Sequence, residues 1–351
     1  MTLIWRRLIS DGGSEHTTSS RLDRLARFQT DYEQERGCRG PPRIAHCTFL
    51  RRTHGRVALV IFWSIFRFIC IGSMSPSDVH EFFPAKFLSH STRSEDATCP
   101  SLLILNQPIA HFDAFSRLWA HSSYRICADG GANRLFDMFR GNLAGLKEQY
   151  VGIFSTDSKW MYMPDTLQLP DVVHGDLDSL RDDVRDYYAA HGVEISRDKD
   201  QDSTDFGKTM QKISTRVAPT ALQDVIVLGT LGGRVDQGLG LLHEMIREEA
   251  KHSNLRLWLF SESSVSFNLK RRHNVIRGLQ SSGIFTENVG IVPMYGAATI
   301  TTSGLEWDVC AWYTQIGGQV STSNHVRADE VRVETDATVL FTIERAALES
   351  Q

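Results

Sequence analysis

The chain has 351 residues, of which 41% are hydrophobic and 23% charged, and its formal net charge is -4. This composition is typical of a globular protein with a buried core, and the length allows more than one domain. The weak net charge gives no reason to expect nucleic acid or an anionic membrane as a partner. The six cysteines include no C-x-x-C pair for zinc or redox chemistry, and a reduced, cytoplasmic setting fits them best.

The first 95 residues are predicted to form an N-terminal extension that is largely disordered. Residues 1 to about 56 are rich in Arg, Ser, Thr and Gly and show no sustained apolar periodicity. The apolar run 57–71 is short for a membrane span of ~20 residues and is interrupted by Arg67, so membrane association through it is the less favoured interpretation. We expect instead that Met74 is the start of the functional protein and that the upstream residues are an extension.

Strand and helix patterns alternate between residues 101 and 260. We expect a helix over about 203–216, another helix capped by Ser179, and an insertion at 141–170. The alternation predicts an α/β catalytic domain at 96–262, with a mostly parallel sheet covered by helices. The predicted strands are 102–105, 124–128, 171–174, 193–195, 224–228 and 255–260.

The pattern changes after about residue 262, where helical periodicity ends. Gly, Ser and Asn clusters separate short β-type runs, which is typical of antiparallel strands joined by turns. We therefore expect residues 263–351 to form a small antiparallel β-sandwich domain. The runs are 290–292, 298–301, 331–333 and 339–343.

Acidic residues follow the ends of several predicted strands. In an open parallel sheet, ligands bind outside the carboxyl ends of the strands, so these acids are expected to converge. Converging carboxylates repel one another unless a cation is present, and Mg²⁺ binds carboxylates together with substrate phosphates. In extended backbone, Asp176 and Asp178 point to the same side and can hold one cation. A helix cap or a solvated turn is the alternative for any single acid of the set. The set is Asp129, Asp176, Asp178, Asp200, Asp202, Asp205 and Asp236.

Two glycine-containing turns offer backbone N–H groups to a phosphate. Gly130 and Gly131 follow a predicted strand and precede a helix. The turn 229–234 ends in Arg234, whose guanidinium can donate two hydrogen bonds to phosphate oxygens. The Gly-Lys-Thr sequence at 207–209 is not a P-loop, because the first glycine of that motif is missing and the segment lies within a predicted helix. Any ATP chemistry must use another scaffold.

Taken together, these segments resemble the thiamine pyrophosphokinase family. The resemblance covers about residues 100–345 and implies a catalytic α/β domain and a C-terminal β-domain that contributes to thiamine binding and dimerisation. It also implies a homodimer with active sites between subunits, and it says nothing about residues 1–80. The matching stretches occur in family order at 128–134, 175–179, 200–208, 231–237, 302–307 and 321–324.

The resemblance implies that the hydroxyl of thiamine attacks the β-phosphorus of ATP and that AMP leaves. It implies that Mg²⁺ is held, or the hydroxyl oriented, by Asp129, Asp176, Asp178 and Asp205. The nucleotide-binding residues that it implies are Gly130, Gly131, Asn133, Asp202, Lys208, Arg234 and Asp236. Those that it implies for thiamine are Gln201, Ser303, Trp307, Ser321 and Asn324.

Several of these assignments have alternatives. Lys208 lies three residues after Asp205, so the two could form an ordinary ion pair on a helix surface. Trp307 offers an aromatic face to the thiamine cation, but it could equally belong to the core of the β-domain. At the level of function, the alternatives are an inactive thiamine-binding regulator and a pyrophosphokinase for another small alcohol, such as a pterin. Loss of a motif acid would favour the inactive regulator, and every motif acid is present.

Overall fold

The computed structural model describes, within the unit 72–351, residues 79–89, 99–149, 169–200, 202–218 and 220–347. The apolar run 57–71, the expected start at Met74 and the candidate thiamine-binding residue Gln201 lie outside the described residues. In the part of the chain that is described, no helix is long and apolar enough to cross a membrane.

The described residues form fifteen β-strands and five α-helices. The strands are β1 (Val79–Phe82), β2 (Ser101–Ile104), β3 (Tyr124–Ala128), β4 (Val172–Gly175), β5 (Glu194–Arg197), β6 (Gln223–Leu228), β7 (Leu255–Phe260), β8 (Ser264–Leu269), β9 (Arg272–Arg277), β10 (Phe285–Val292), β11 (Ala298–Ser303), β12 (Trp312–Thr314), β13 (Ser321–His325), β14 (Glu330–Thr335) and β15 (Val339–Arg345). The α-helices are α1 (Phe112–His121), α2 (Gly131–Gln149), α3 (Asp182–Ala190), α4 (Asp205–Ser214) and α5 (Val235–Lys251), and a short 3-10 helix spans Pro84–Phe87.

The strands form two sheets. A ten-stranded sheet has the order β13-β10-β15-β8-β7-β6-β2-β3-β4-β5, parallel from β7 to β5 and antiparallel from β7 to β13. A five-stranded sheet has the order β1-β9-β14-β11-β12. The buried residues of this second sheet share one hydrophobic core with the antiparallel half of the first. The predicted fold class, an α/β domain followed by an antiparallel β-sandwich, is confirmed.

One sheet runs through both predicted domains. The expected boundary between 96–262 and 263–351 falls in the turn between β7 and β8. These two strands are paired, with Leu259 opposite Ser266 and Phe260 opposite Val265. The β-sandwich is therefore an extension of the catalytic sheet and not a separately packed body.

Helices cover both faces of the parallel strands. Successive side chains of a strand point to opposite faces, so Leu102 and Ile104 pack with α1, α2 and α3, whereas Leu103 packs with α4 and α5. Strands buried on both faces are almost continuously apolar, and this explains why short apolar runs were sufficient to predict them.

The structure corrects one expectation about helices. Ser179 does not cap α3, which begins at Asp182 after an N-cap at Arg181. The backbone N–H of Ser179 instead donates a hydrogen bond to Asp129 at 3.0 Å. In addition, α2 extends to Gln149, so the first part of the predicted insertion at 141–170 is helical.

The segment 79–89 is ordered, although it was expected to lie in a largely disordered extension. Its strand β1 pairs in parallel with β9, and its side chains Phe82 and Phe87 are buried. Lys86 Nζ lies 2.6 Å from a carboxylate oxygen of Asp224 on β6. This segment is therefore part of the folded core.

Candidate active site

The order in which strands are added to the parallel sheet reverses at β2. The chain passes from β2 to β3 on one side and later places β6 on the other side. Ligands of open α/β sheets bind at such a switch point, outside the carboxyl ends of the strands. A cavity of about 500 Å³, called here the acidic cavity, lies at this place. It is lined by the loops after β2, β3, β4 and β6 and by the N-terminal halves of α4 and α5.

Three of the predicted acids cluster beside this cavity, and two of them, Asp129 and Asp176, line it. Asp129, Asp176 and Asp178 each offer a carboxylate oxygen, and these oxygens lie within 4.8 Å of one another. Asp129 directly follows β3 and has a positive φ of 40°, a backbone conformation that is uncommon outside glycine and often occurs at functional sites. Three hard oxygen donors at this spacing fit a divalent cation such as Mg²⁺.

Asp129 is buried, with 3% of its surface exposed. Its Oδ2 accepts the hydrogen bond from the Ser179 N–H, while its Oδ1 is buried and has no hydrogen-bond partner among the described residues. Burial raises the pKa of this carboxyl group above its usual value. A cation beside Oδ1 would supply the contact that this oxygen lacks. It would also offset the cost of burying the negative charge.

Lys208 joins two other acids of the cavity. Its Nζ lies 3.4 Å from Asp176 Oδ2 and 3.3 Å from Asp205 Oδ1, and only 4% of the residue is exposed. The alternative of a surface ion pair is therefore wrong. Burial opposes ionisation of Asp176, but hydrogen bonds from the Asp178 N–H and from Lys208 outweigh it and lower its pKa. Burial likewise disfavours the charge on Lys208, and the neighbouring carboxylates, Asp205 foremost, raise its pKa in spite of it.

The two glycines after β3 are needed for close packing. A Cβ on Gly130 would lie 2.3 Å from Asn106 Nδ2, and a Cβ on Gly131 would lie 2.2 Å from the Ile104 carbonyl oxygen. Gly130 lines the acidic cavity, whereas Gly131 begins α2 against β2. Gly131 therefore has a packing role. Of the two glycines, Gly130 is the one that faces the cavity in which a ligand would bind.

Asn133 is used to hold the loop that carries Asp178. Its Nδ2 donates to the Ser179 carbonyl at 2.8 Å, and its Oδ1 accepts from the Arg181 N–H at 3.1 Å. Both polar groups of the side chain are thereby engaged. This arrangement fits an indirect role in nucleotide binding, through the position of Asp178.

The remaining predicted nucleotide-binding residues lie towards solvent. Arg234 and Asp236 form a two-point ion pair at 3.1 and 2.5 Å on the exposed start of α5. Asp236 lines the acidic cavity, and Arg234 lies outside its lining. Asp202 is exposed and donates its backbone N–H to Asp200 at 2.9 Å. The structure therefore brings Asp236 to the cavity but not Asp202 or Arg234.

A second cavity of about 340 Å³ adjoins the first and shares with it Gln107, Gly229, Leu231 and Gly232. It lies between the loops after β2 and β6 and the turn between β7 and β8, and much of its wall is apolar. Thr230 lines it and is 4% exposed, yet its Oγ1 has no hydrogen-bond partner among the described residues. The sequence analysis did not foresee this cavity.

The predicted thiamine-binding residues lie on the β-sandwich. Trp307 is 53% exposed, so the alternative of a core tryptophan is wrong. The buried side chain of Asn324 accepts from the Trp307 N–H at 3.1 Å and donates to the Trp307 carbonyl at 3.0 Å, which fixes the backbone of this turn. Ser303 ends β11 and Ser321 begins β13. None of these four residues lines either of the two cavities described above.

Several residues of the acidic cavity were missed from the sequence. Asn106 and Gln107 directly follow β2, and polar residues after a buried strand were a usable signal. His243 and Glu244 lie about two helical turns after Asp236 on α5, so helical spacing would have placed them on the same face. The full set of missed polar residues is Asn106, Gln107, Ser179, Ser203, Thr204, Gln237, His243 and Glu244.

Comparison with known proteins adds family evidence to this geometry. The family model for "Thiamin pyrophosphokinase, catalytic domain" matches residues 115–259. The model for "Thiamin pyrophosphokinase, vitamin B1 binding domain" matches residues 272–340. Thiamine pyrophosphokinase 1 of Oryza sativa subsp. japonica is 34% identical over 266 residues, which are 74% of this chain and 93% of that protein. Thiamine pyrophosphokinase 1 of Arabidopsis thaliana is 33% identical and covers 77% of this chain and 95% of its own length.

Solved structures show the same fold. The crystal structure of yeast thiamin pyrophosphokinase aligns with a TM-score of 0.62 and 25% identity over 76% of this chain and 91% of that one. Thiamin pyrophosphokinase from Candida albicans aligns with a TM-score of 0.63 and 23% identity over 78% and 95% of the two chains.

Proposed function

The chain belongs to the thiamine pyrophosphokinase family and is a transferase that converts thiamine to thiamine diphosphate, and for this reaction we propose that its acidic cavity binds Mg²⁺ and the phosphates of ATP. The observation that carries the proposal is the cluster of Asp129, Asp176 and Asp178 around a buried carboxylate oxygen without a partner among the described residues.

The metal would be held by Asp129, Asp176 and Asp178, with Asp205 beside them. Asp205 Oδ1 already accepts hydrogen bonds from the Asp176 N–H and from Lys208, so this oxygen fixes the cluster. When bound, Mg²⁺ neutralises charge on the transferred phosphates. The ammonium group of Lys208 supplies a further positive charge at the same place.

The nucleoside of ATP fits the second cavity. This cavity meets the acidic cavity at the turn after β6, so a base and ribose there would leave the phosphates near the acids. An apolar wall with few polar groups is typical of small-molecule sites, and the buried Thr230 hydroxyl beside it has no hydrogen-bond partner among the described residues. Gly130 and Asp236 complete the phosphate side in this proposal, and Asp202 and Arg234 join it only if their loops close on the nucleotide.

Thiamine would reach the acids from the β-sandwich of a second subunit. Ser303, Trp307, Ser321 and Asn324 line neither cavity of their own chain. Exposed apolar side chains adjoin the acidic cavity, with Val235 77% and Leu239 55% exposed at the start of α5. Exposed apolar residues beside a site often mark an interface. A homodimer covering this edge would bring thiamine and ATP together.

The chemistry then follows from position and charge. The hydroxyl oxygen of thiamine forms a bond to the β-phosphorus, and the bond from this phosphorus to the oxygen bridging it to the α-phosphate breaks. AMP leaves with that oxygen, and the hydroxyl proton passes to a carboxylate of the cluster. Charge on the transferred group is met by Lys208 and by backbone N–H groups of the glycine turns, which favours electrostatic stabilisation as the main source of catalysis.

One assay tests the reaction directly. In the presence of Mg²⁺, the purified protein should convert thiamine and ATP into AMP and thiamine diphosphate in equal amounts. ADP with thiamine monophosphate would contradict pyrophosphoryl transfer. Thiamine binding without any product would favour the inactive regulator, and turnover of a different alcohol in place of thiamine would favour the other alternative.

A further inference from the structure

The positions of Asp205 and Lys208 depend on where α4 begins. Thr204 is the N-cap of this helix, and its Oγ1 accepts a hydrogen bond from the Gly207 N–H at 3.1 Å. Asp205 follows directly, and its Oδ1 accepts from the Asp176 N–H at 3.2 Å and from Lys208 at 3.3 Å. A shift of the cap would therefore move two charged groups of the acidic cavity.

A carboxylate on the neighbouring helix holds this cap. The Thr204 hydroxyl donates to Glu244 Oε2 at 3.2 Å. Because a hydroxyl has a single proton, this donation turns its lone pairs towards the Gly207 N–H and fixes the rotor. Glu244 Oε2 also lies 2.6 Å from Arg247 Nη2, and Glu244 is 7% exposed. Glu244 is thus held in turn, and its charge strengthens the bond to Thr204.

The two helices approach closely at this point because residue 207 is glycine. A Cβ there would lie 3.3 Å from Arg247 Nη2 and 3.5 Å from Glu248 Oε1. A larger side chain would press on the guanidinium that holds Glu244. The glycine in the first turn of α4 and the ion pair on α5 therefore belong to one packing arrangement.

We infer that Glu244 is a positioning residue for the reaction: through Thr204 it fixes the start of α4, and with it the places of Asp205 and Lys208 at the metal and phosphate site. This inference rests on the proposed function, because it treats Asp205 as part of the Mg²⁺ site. Groups that orient metal-binding residues typically affect metal affinity or activity by about 10- to 100-fold when removed.

The test measures metal binding and turnover on the full chain. Mn²⁺ is the probe, since carboxylate sites for Mg²⁺ also bind Mn²⁺, and free Mn²⁺ is counted by electron paramagnetic resonance. Glu244→Leu should weaken Mn²⁺ binding about 10- to 100-fold and lower kcat, with the KM for thiamine unchanged. Glu244→Gln keeps an acceptor for Thr204 and should recover most of the loss. Thr204→Val should reproduce Glu244→Leu, and the double variant should be no worse than either single one, since the two residues act through one bond.

A matched control uses an ion pair at the C-terminal end of α4. Glu194 Oε1 contacts Lys212 of α4 at 2.7 Å, far from the cap, and Glu194→Leu should leave Mn²⁺ binding and kcat unchanged. Wild-type Mn²⁺ affinity and kcat in folded Glu244→Leu would overturn the inference. Additive losses in the double variant would also overturn it, because the two residues would then act independently. A raised KM for ATP with unchanged Mn²⁺ binding would overturn it as well, because Glu244 would then contact ATP directly. Failure of the wild type to bind Mn²⁺ would instead count against the proposed metal site. The effects of Glu244→Leu and Thr204→Val on kcat, compared with that of the double variant, would still test the role of Glu244.

Discussion

Trp307 is exposed on a turn whose backbone is fixed from below. Buried Asn324 accepts one hydrogen bond from this turn and donates another to it. The centroid of the Trp307 ring lies 5.2 Å from that of the His325 ring, and the Trp307 side chain remains half-exposed. A half-exposed tryptophan that is held in place contributes little to the core and is well placed to meet a flat cationic ligand.

Trp307→Ala should therefore weaken thiamine binding without destabilising the fold. The lost cation–π contact predicts an affinity lower by about 2- to 30-fold, with the ATP affinity and the melting temperature unchanged. Trp307→Phe should recover part of the loss, and Tyr313→Ala serves as control because Tyr313 is 58% exposed in the same domain. Calorimetric titrations and one melting curve per variant measure this, and a large fall in melting temperature with both ligands affected would contradict it.

Asp176 and Asp178 should differ in their effect on stability although both are needed for turnover. Asn at either position should lower kcat by at least about 100-fold, the scale for one preorganised electrostatic group. Asp178→Asn should leave the fold intact or more stable, since it removes repulsion and the amide oxygen can still accept the hydrogen bond that the Ser179 hydroxyl donates at 3.0 Å. Asp176→Asn also removes a partner of buried Lys208 and should be less stable than Asp178→Asn. Equal melting temperatures, or near-normal kcat at low Mg²⁺, would argue against these roles.

At the residue scale, the sequence predicted the acids because they follow strand ends, where an α/β sheet binds ligands. It did not predict how the acids are held. Asn133 reaches Ser179 and Arg181 across more than forty residues of chain, and Glu244 reaches Thr204 across forty. Such pairs depend on how loops and helices pack, and local spacing carries no signal for them. Lys208 illustrates the same limit. Its three-residue spacing from Asp205 suggests an ion pair on the helix surface, whereas the structure shows a buried lysine that also contacts Asp176.

Among the elements, the segment 79–89 contributes most beyond the sequence prediction. Asp224 on β6 is 9% exposed and contacts three side chains, Lys86 at 2.6 Å, Arg256 at 2.7 Å and the Trp258 Nε1–H at 2.8 Å. Lys86 ties the segment to the start of β6. Arg256 donates a hydrogen bond to the Glu81 carbonyl oxygen at 2.9 Å. This buried carboxylate thus anchors β1 and the short helix after it.

Asp224→Asn should destabilise the protein in a pH-dependent way. Burial opposes ionisation of Asp224, but the hydrogen bond and charge of Arg256, with Lys86, outweigh it and lower its pKa. A lowered pKa in the folded state means that the stabilisation is complete above the unfolded value of about 3.9 and is lost as the pH falls below it.

Denaturant unfolding at two pH values measures this effect. At pH 7 the variant should lose about 2–3 kcal/mol, less than for a fully buried pair because Lys86 is partly exposed. Near pH 3 the difference from wild type should shrink. A chain that begins at Cys99 should be at least as unstable as the variant at pH 7. An equal loss at both pH values would show that packing, and not the charge, is responsible.

The elements themselves were predicted where both faces of the sheet are buried. All six predicted strands of the catalytic domain are present within one or two residues. Apolar runs identify five of them, whereas β5 (Glu194–Arg197) contains no buried residue and was predicted from the short run 193–195 alone. The start of α3 was wrong because Ser179, a residue type that often caps helices, is held by Asp129 instead. β1 was missed because a four-residue strand pairs only with β9, far along the chain, and has no periodicity of its own.

For the whole molecule, the proposed function requires that thiamine bound at the β-sandwich meets ATP bound at the acids. Both cavities of one chain are lined without Trp307 or Asn324. The resemblance to the family implies a shared site between two subunits, and the exposed Val235 and Leu239 beside the acidic cavity agree with an interface there. A dimer with twofold symmetry would form two equal sites, each with acids from one chain and the tryptophan from the other.

Mixing two defective variants distinguishes a shared site from a site within one chain. Asp178→Asn removes turnover, and Trp307→Ala weakens thiamine binding, so each homodimer should be slow at low thiamine. If the sites are shared, a mixed dimer carries both changes in one site and neither in the other. Random reassociation makes about half of the dimers mixed, so about a quarter of wild-type AMP formation should return. If each chain builds its own site, every site in the mixture carries one change and no activity returns. Sedimentation of the same sample checks that dimers have formed, and a dimer without recovered activity would refute the shared site.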